Sequence, residues 1–152
     1  MEGESVDFFK YQLLATEGVI ASATCNTLYD EQEKSAIVGA LDAIKIWNLR
    51  SGTVTKILRD DTDSSRHPVT CLMVNPSNKD IIAAGYEDGA VRLWSVKEGR
   101  VVVQFNGHKS TVTAFSFDPY TMRLASGGRD SDIVVWDLVA EVGLFRLQGH
   151  TG

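Results

Sequence analysis

Asp132-Ile133-Val134-Val135-Trp136-Asp137-Leu138 is the stretch that decides the fold. It has two earlier counterparts, Ala90-Val91-Arg92-Leu93-Trp94-Ser95-Val96 and Ala43-Ile44-Lys45-Ile46-Trp47-Asn48-Leu49. Each is a short apolar run carrying one of the chain's three tryptophans. Runs of this length, rich in β-branched residues, read as strands buried on both faces. The tryptophans stand 47 and then 42 residues apart. Other marks recur in the same register. Ala83-Ala84-Gly85-Tyr86-Glu87-Asp88 matches Ala125-Ser126-Gly127-Gly128-Arg129-Asp130. Val69-Thr70 with Asn75-Pro76 matches Val112-Thr113 with Asp118-Pro119, and Gly107-His108 recurs at Gly149-His150.

A period of about 40–45 residues with Gly-His and Trp-Asp marks is the signature of a four-stranded propeller blade. The best-marked repeat predicts strands over 112–117, 123–126, 132–138 and 143–147, with tight turns at 118–120 and 127–131. The middle repeat predicts 69–74, 81–84, 90–96 and 101–105, and the degenerate first repeat 19–24, 35–40, 43–49 and 53–58. The polar stretches 30–34 and 60–66 read as loops. These marks resemble the WD-repeat family from about residue 36 to 150. The expected fold is all-β: an incomplete WD-repeat β-propeller of about three four-stranded antiparallel blades. Residues 1–35 form an N-terminal segment with a first-blade strand, and 36–150 hold the blades, at 36–58, 67–105 and 108–147. The stack stops at the mark of a further repeat, so the chain is expected to be an N-terminal fragment of a longer protein.

Composition narrows the function. The 152 residues are 43% hydrophobic and 23% charged, with a net charge of −5. That is a globular balance, without the broad basic field that non-specific nucleic-acid binding needs. The start carries Glu2, Glu4 and Asp7 in place of a basic region and apolar core, so it does not read as a secretory signal. No apolar run approaches the roughly 20 residues of a membrane span. Cys25 and Cys71 lie in separate apolar stretches and read as buried free thiols.

His108, Ser126 and Asp130 invite a hydrolase reading. Their repeat positions explain the spacing better than catalysis does. The family resemblance implies that His108, Ser126, Asp130 and Trp136 form a structural tetrad, a hydrogen-bonded chain satisfying a buried indole. The same resemblance makes Asp88, Trp94, Trp47, Gly107, Gly149 and His150 partial structural marks. The middle repeat has Ala84 in place of the serine, and its histidine is displaced. His67 stands two residues before Val69, whereas His108 stands four before Val112, so Ser65 is the positional equivalent. In the first repeat Leu41 takes the turn-aspartate position and Asp42 is one residue off. The three histidines do not suggest a metal site, since two are repeat marks on separate blades. Gly127-Gly128 lacks a phosphate-loop pattern. Asp130 with Asp132 lacks the sugar cleft a glycosidase pair needs, and the acidic loop at Asp60, Asp61 and Asp63 reads as solvated surface. No catalytic residue, cofactor, metal or small-molecule substrate is expected.

A closer likeness lies in Phe105–Lys109, Arg123–Gly127, Asp130–Asp137 and Glu141–His150, with Gly85–Gly89 in the same pattern. These stretches resemble the N-terminal propeller of a WD-repeat subunit of the small-subunit processome. The resemblance implies a non-catalytic scaffold in nucleolar small-subunit ribosome assembly and pre-rRNA processing. The implied partners are other WD-repeat proteins of a processome subcomplex, with small nucleolar RNA and pre-rRNA reached indirectly through them. Members of that subfamily are several times longer. The alternative is a generic WD-repeat protein–protein adaptor, as in a ubiquitin ligase or chromatin assembly. An enzyme built on a propeller ranks third.

Overall fold

The structure, a computed structural model, describes residues 21–148 apart from 23, 24, 31, 33, 63 and 121. Among the described residues, twelve strands follow one another in chain order. The first sheet holds β1 (Thr27–Tyr29), β2 (Ser35–Ala40), β3 (Ala43–Asn48) and β4 (Thr53–Leu58). The second holds β5 (Val69–Val74), β6 (Ile81–Tyr86), β7 (Ala90–Ser95) and β8 (Arg100–Asn106). The third holds β9 (Val112–Phe117), β10 (Arg123–Gly128), β11 (Ile133–Asp137) and β12 (Val142–Leu147). Every sheet is an antiparallel meander in which each strand pairs only with its chain neighbours. No helix occurs among the described residues. This is the all-β, three-blade arrangement that the repeated phrases predict.

The repetition extends to local irregularities. The ladder slips by one residue immediately before each tryptophan, at Ile46/Trp47, Leu93/Trp94 and Val135/Trp136. A bulge at the same point of every blade re-aims the outer strand and marks a designed feature. The residue after each tryptophan caps the next turn. Asn48 Oδ1 accepts from the amides of Arg50 and Ser51, and Asp137 Oδ1 from those of Val139 and Ala140. In the middle blade Ser95 Oγ accepts from the Glu98 amide. Short polar side chains bond nearby backbone in this way and hold tight turns.

The blades pack face to face. One core joins Ile44, Ile46 and Leu58 of the first blade to Leu72, Ile82 and Trp94 of the second. Another joins Ala83, Leu93 and Phe105 of the second to Val112, Leu124 and Trp136 of the third. Burying each Val, Leu or Ile contributes roughly 1.5–3 kcal/mol. Phe105 stacks on Trp136 across the second boundary, with centroids 4.6 Å apart and planes 15° from parallel. Polar groups also bridge the blades. Asn26 brackets Leu72, its amide donating to the Leu72 carbonyl at 2.9 Å and its oxygen accepting from the Leu72 amide at 2.8 Å. The Thr70 hydroxyl donates to the Val112 carbonyl at 2.6 Å.

Small residues permit this closeness. A Cβ on Gly39 would lie 2.6 Å from Cys25 Sγ and 3.3 Å from Val69 Cβ. One on Gly85 would lie 2.6 Å from Cys71 Sγ and 2.7 Å from Val112 Cβ. The same glycine therefore seats the first residue of the following blade twice over.

Two strand expectations need correcting. The first strand does not run over 19–24: Ala21 and Ser22 lie outside any strand, and the rest of that range is outside the described residues. The strand pairing with β2 is Thr27–Tyr29. The second strands of the later blades run two residues further than read, to Tyr86 and Gly128, because Tyr86 pairs with Val69 and Gly128 with Val112.

Candidate functional site

In the third blade, β10 supplies Ser126, β11 supplies Trp136, the hairpin between them supplies Asp130, and the segment entering β9 supplies His108. The four side chains form one continuous chain of contacts. The Trp136 Nε1–H donates to Ser126 Oγ at 2.8 Å. His108 Nε2 lies 2.7 Å from the same Oγ, and Nδ1 lies 3.2 Å from both Asp130 oxygens. An indole can only donate and a carboxylate can only accept. Protons therefore fit with Nδ1–H donating to Asp130 and the Ser126 hydroxyl donating to Nε2. Asp130 also accepts from the amides of Lys109 and Asp132. Burial pushes the Asp130 carboxyl up, but the Lys109 amide, the His108 ring and the Asp132 amide outweigh it and hold it below the usual aspartate value. Gly107 completes the fit, since a Cβ there would stand 2.5 Å from Trp136 Cη2.

This geometry suits structure and not hydrolysis. Ser126 and the His108 side chain are fully buried. The serine oxygen already accepts from the indole, and a nucleophile must reach substrate.

The second blade solves the same problem with other atoms. Trp94 Nε1–H donates to the hydroxyl of Tyr86 at 3.0 Å, and Tyr86 stands where the third blade has Gly128. Burial raises the Tyr86 pKa, opposed by its bond to Trp94 and by the nearby Arg92 charge. The Arg92 guanidinium lies 4.5 Å over the Tyr86 ring, and its Nε donates to Gln104 at 3.2 Å. Asp88 Oδ1 accepts from the Ala90 amide. Ser65, the positional equivalent of His108, is exposed; it is His67 that comes to Asp88, with Nε2 3.7 Å from Oδ2. Spacing alone could not show this, because the loop before Val69 sets which ring swings over the turn.

The first blade lacks such a network among the described residues. Trp47 is buried and its indole N–H finds no partner there. Its hairpin is a two-residue turn, Leu41-Asp42, closed by the Ala40–Ala43 pair. Asp42 Oδ2 faces Arg59 Nε at 3.4 Å, an ion pair without hydrogen-bond alignment. Gly149 and His150 lie outside the described residues.

A cavity of about 560 Å³ opens where the innermost strands of the blades begin. Leu41, Glu87 and Arg129, one from each blade's turn, line it together with Ser22, Pro68 and Thr111. Thr70 and Thr113, at the bulged second positions of β5 and β9, line it as well.

Other chemistry is sparse. No group of three metal-ligating side chains exists among the described residues. No described helix is long and apolar enough to cross a membrane. Cys25 and Cys71 are free. Burial and the neighbouring Cys25, against bonds from Thr70 and Gly85, push the Cys71 thiol up to about 12.

Comparison with known proteins supplies the rest. The family profile for the WD domain, G-beta repeat, matches residues 55–95 and 99–137. U3 small nucleolar RNA-associated protein 12 of Saccharomyces cerevisiae is 34% identical over 134 residues, covering 78% of this chain and 14% of the yeast protein. The WD repeat-containing protein 3 homolog of Dictyostelium discoideum is 35% identical over 90 residues, 59% of this chain and 9% of that protein. A solved structure of U3-55K superposes with a TM-score of 0.74 at 22% identity, covering 88% of this chain and 41% of that one. The last likeness speaks to the fold alone. The chain thus spans only a small part of the length of these curated relatives.

Proposed function

Because the chain belongs to the WD-domain, G-beta repeat family, we propose that it is a non-catalytic scaffold segment in nucleolar small-subunit ribosome assembly and pre-rRNA processing. The observation that carries the non-catalytic part is the sealed His108–Ser126–Trp136 chain, which spends the only serine–histidine pair with hydrolase geometry among the described residues on a buried indole. What is left for function is a rigid stack of blades whose turns face solvent, and recognition concentrates on such loops. The ribosomal part is supported by the likeness to the yeast U3 small nucleolar RNA-associated protein and to the WD repeat-containing protein 3 homolog. The partners are other WD-repeat proteins of a processome subcomplex. Small nucleolar RNA and pre-rRNA are reached through those proteins, in keeping with the net charge of −5.

The test is cellular. A tagged protein carrying this chain should concentrate in nucleoli and co-purify with precursor rRNA. A diffuse cytosolic signal without RNA would overturn the reading, as would recovery of ligase or histone partners with rRNA processing unchanged on depletion.

A further inference from the structure

Packing fixes Gly107 and leaves Asn106 in solvent. A Cβ at 107 would stand 2.5 Å from Trp136 Cη2 and 3.1 Å from Cζ2, so only glycine fits over the indole. The Gly107 carbonyl accepts from Arg146, whose guanidinium also pairs with Asp132. Asn106 is exposed, and its Oδ1 accepts from Gln104 Nε2 at 3.3 Å. The fold therefore demands a glycine directly after a solvated asparagine. Of the five asparagines in the sequence, Asn106 alone is followed by glycine.

The position of this pair bears on its chemistry. Asn106 is the last residue of β8, and β8 is the edge of its sheet, paired on one side only, with β7. The end of an edge strand opens locally at little cost. A glycine nitrogen is unhindered and its φ is free, so it can swing toward the preceding side chain. The other acidic or amide residue followed by glycine among the described residues is Asp88, before Gly89. There the Gly89 amide donates to the Tyr86 carbonyl at 3.1 Å and Asp88 Oδ1 accepts from the Ala90 amide at 3.1 Å. A carboxylate is also a poorer electrophile than an amide.

We propose that Asn106–Gly107 is a site of spontaneous backbone modification, where the solvated amide converts to isoaspartate and loosens the seam between the second and third blades. The Gly107 nitrogen attacks Asn106 Cγ. The N–Cγ bond forms, the Cγ–Nδ2 bond breaks, and ammonia leaves with the proton from the Gly107 amide. Water then opens the cyclic imide. Cleavage at Cγ gives an ordinary aspartate, and cleavage at the backbone carbonyl gives isoaspartate, whose main chain runs through the former side chain. Water is the only co-reactant. The isoaspartate chain is longer by one methylene, about 1.5 Å. That length enters between Phe105, stacked on Trp136, and His108, which meets Ser126 at 2.7 Å. A close-packed seam cannot absorb it without moving one of the two.

The experiment ages the folded full chain in mildly alkaline heavy-oxygen water, beside a sample unfolded in urea, and maps peptides by mass spectrometry. The peptide holding Asn106 is expected to gain one heavy oxygen while those holding Asn26, Asn48 and Asn78 do not. The folded rate should lie within about tenfold of the unfolded one, the penalty of a local opening. An isoaspartyl methyltransferase with a labelled methyl donor should label the aged parent and leave aged N106S unlabelled. The isoaspartate fraction, separated by ion exchange, should unfold at lower urea than the fresh parent. N106D, which adds the charge and keeps the backbone, should unfold with the parent. The site is overturned if the folded chain takes up no heavy oxygen at 106 or if N106S is labelled as strongly as the parent. The loosening of the seam is overturned if the isoaspartate fraction and N106D unfold together.

Discussion

Ser126→Ala removes one oxygen from the centre of the third blade and leaves two buried rings without it. The Trp136 indole donates to that oxygen at 2.8 Å and His108 Nε2 lies 2.7 Å away. Trp136 is only 5% exposed, so water cannot replace the lost partner. A buried polar group left unpaired costs about 1–3 kcal/mol, and two such groups place the loss at about 2–4 kcal/mol. The removed volume is too small to add a cavity cost of that size. The second blade tolerates alanine at the equivalent Ala84 because Tyr86 brings its own hydroxyl to the indole, a substitute the third blade lacks with Gly128 in that place. Equilibrium urea unfolding measures the effect. With a slope of about 2 kcal/mol per M, the midpoint should fall by roughly 1–2 M at unchanged slope. Asp130→Ala should cost about 1.5–3 kcal/mol through lost charge-assisted bonds. Combined with Ser126→Ala it should cost less than the two separately, by at least about 0.5 kcal/mol, since both act through His108. A Ser126→Ala midpoint equal to the parent's, or strict additivity in the double variant, would refute the idea that the four side chains act as one unit.

Tyr86→Phe should orphan the Trp94 indole and cost about 1–3 kcal/mol in the same urea assay. Gly85→Ala puts a Cβ 2.6 Å from Cys71 Sγ and should destabilise by about 1–3 kcal/mol. Gly127→Ala meets nothing within 4 Å and should stay within about 0.5 kcal/mol of the parent; equal losses at both positions would undo the seating argument. Asp130 titrates lower when folded, so its stabilisation is complete above the unfolded value near pH 3.9 and is lost as pH falls through the folded one. Urea midpoints recorded from pH 6 downward should therefore drop less steeply for Asp130→Asn than for the parent. With its thiol pushed up to about 12, Cys71 should resist iodoacetamide at pH 8 until urea unfolds the chain, as peptide mapping will show.

Much of the architecture was legible because it is local. Each strand pairs with its chain neighbour, so a short apolar phrase and the turn beside it carry nearly all the information a blade needs. The reading over 19–24 places the first strand ahead of Thr27–Tyr29, because the first repeat is degenerate and its start carries few of the shared marks. The signal that could have found it is Thr24-Cys25, which repeats Thr70-Cys71 just as β1 repeats β5. His67 escaped for a different reason. Counting residues back from Val69 assumes a loop of constant shape, and the loop before the second blade is not the one before the third.

From sequence alone came the period, the strand order and the residue types available to satisfy each tryptophan, since all of these are properties of adjacent positions. The tertiary structure decided which hydroxyl meets which indole, which ring reaches Asp88, and that Leu41, Glu87 and Arg129 border one cavity. Those outcomes depend on how blades abut and how bulges aim side chains, over distances between residues that the order of the chain does not encode.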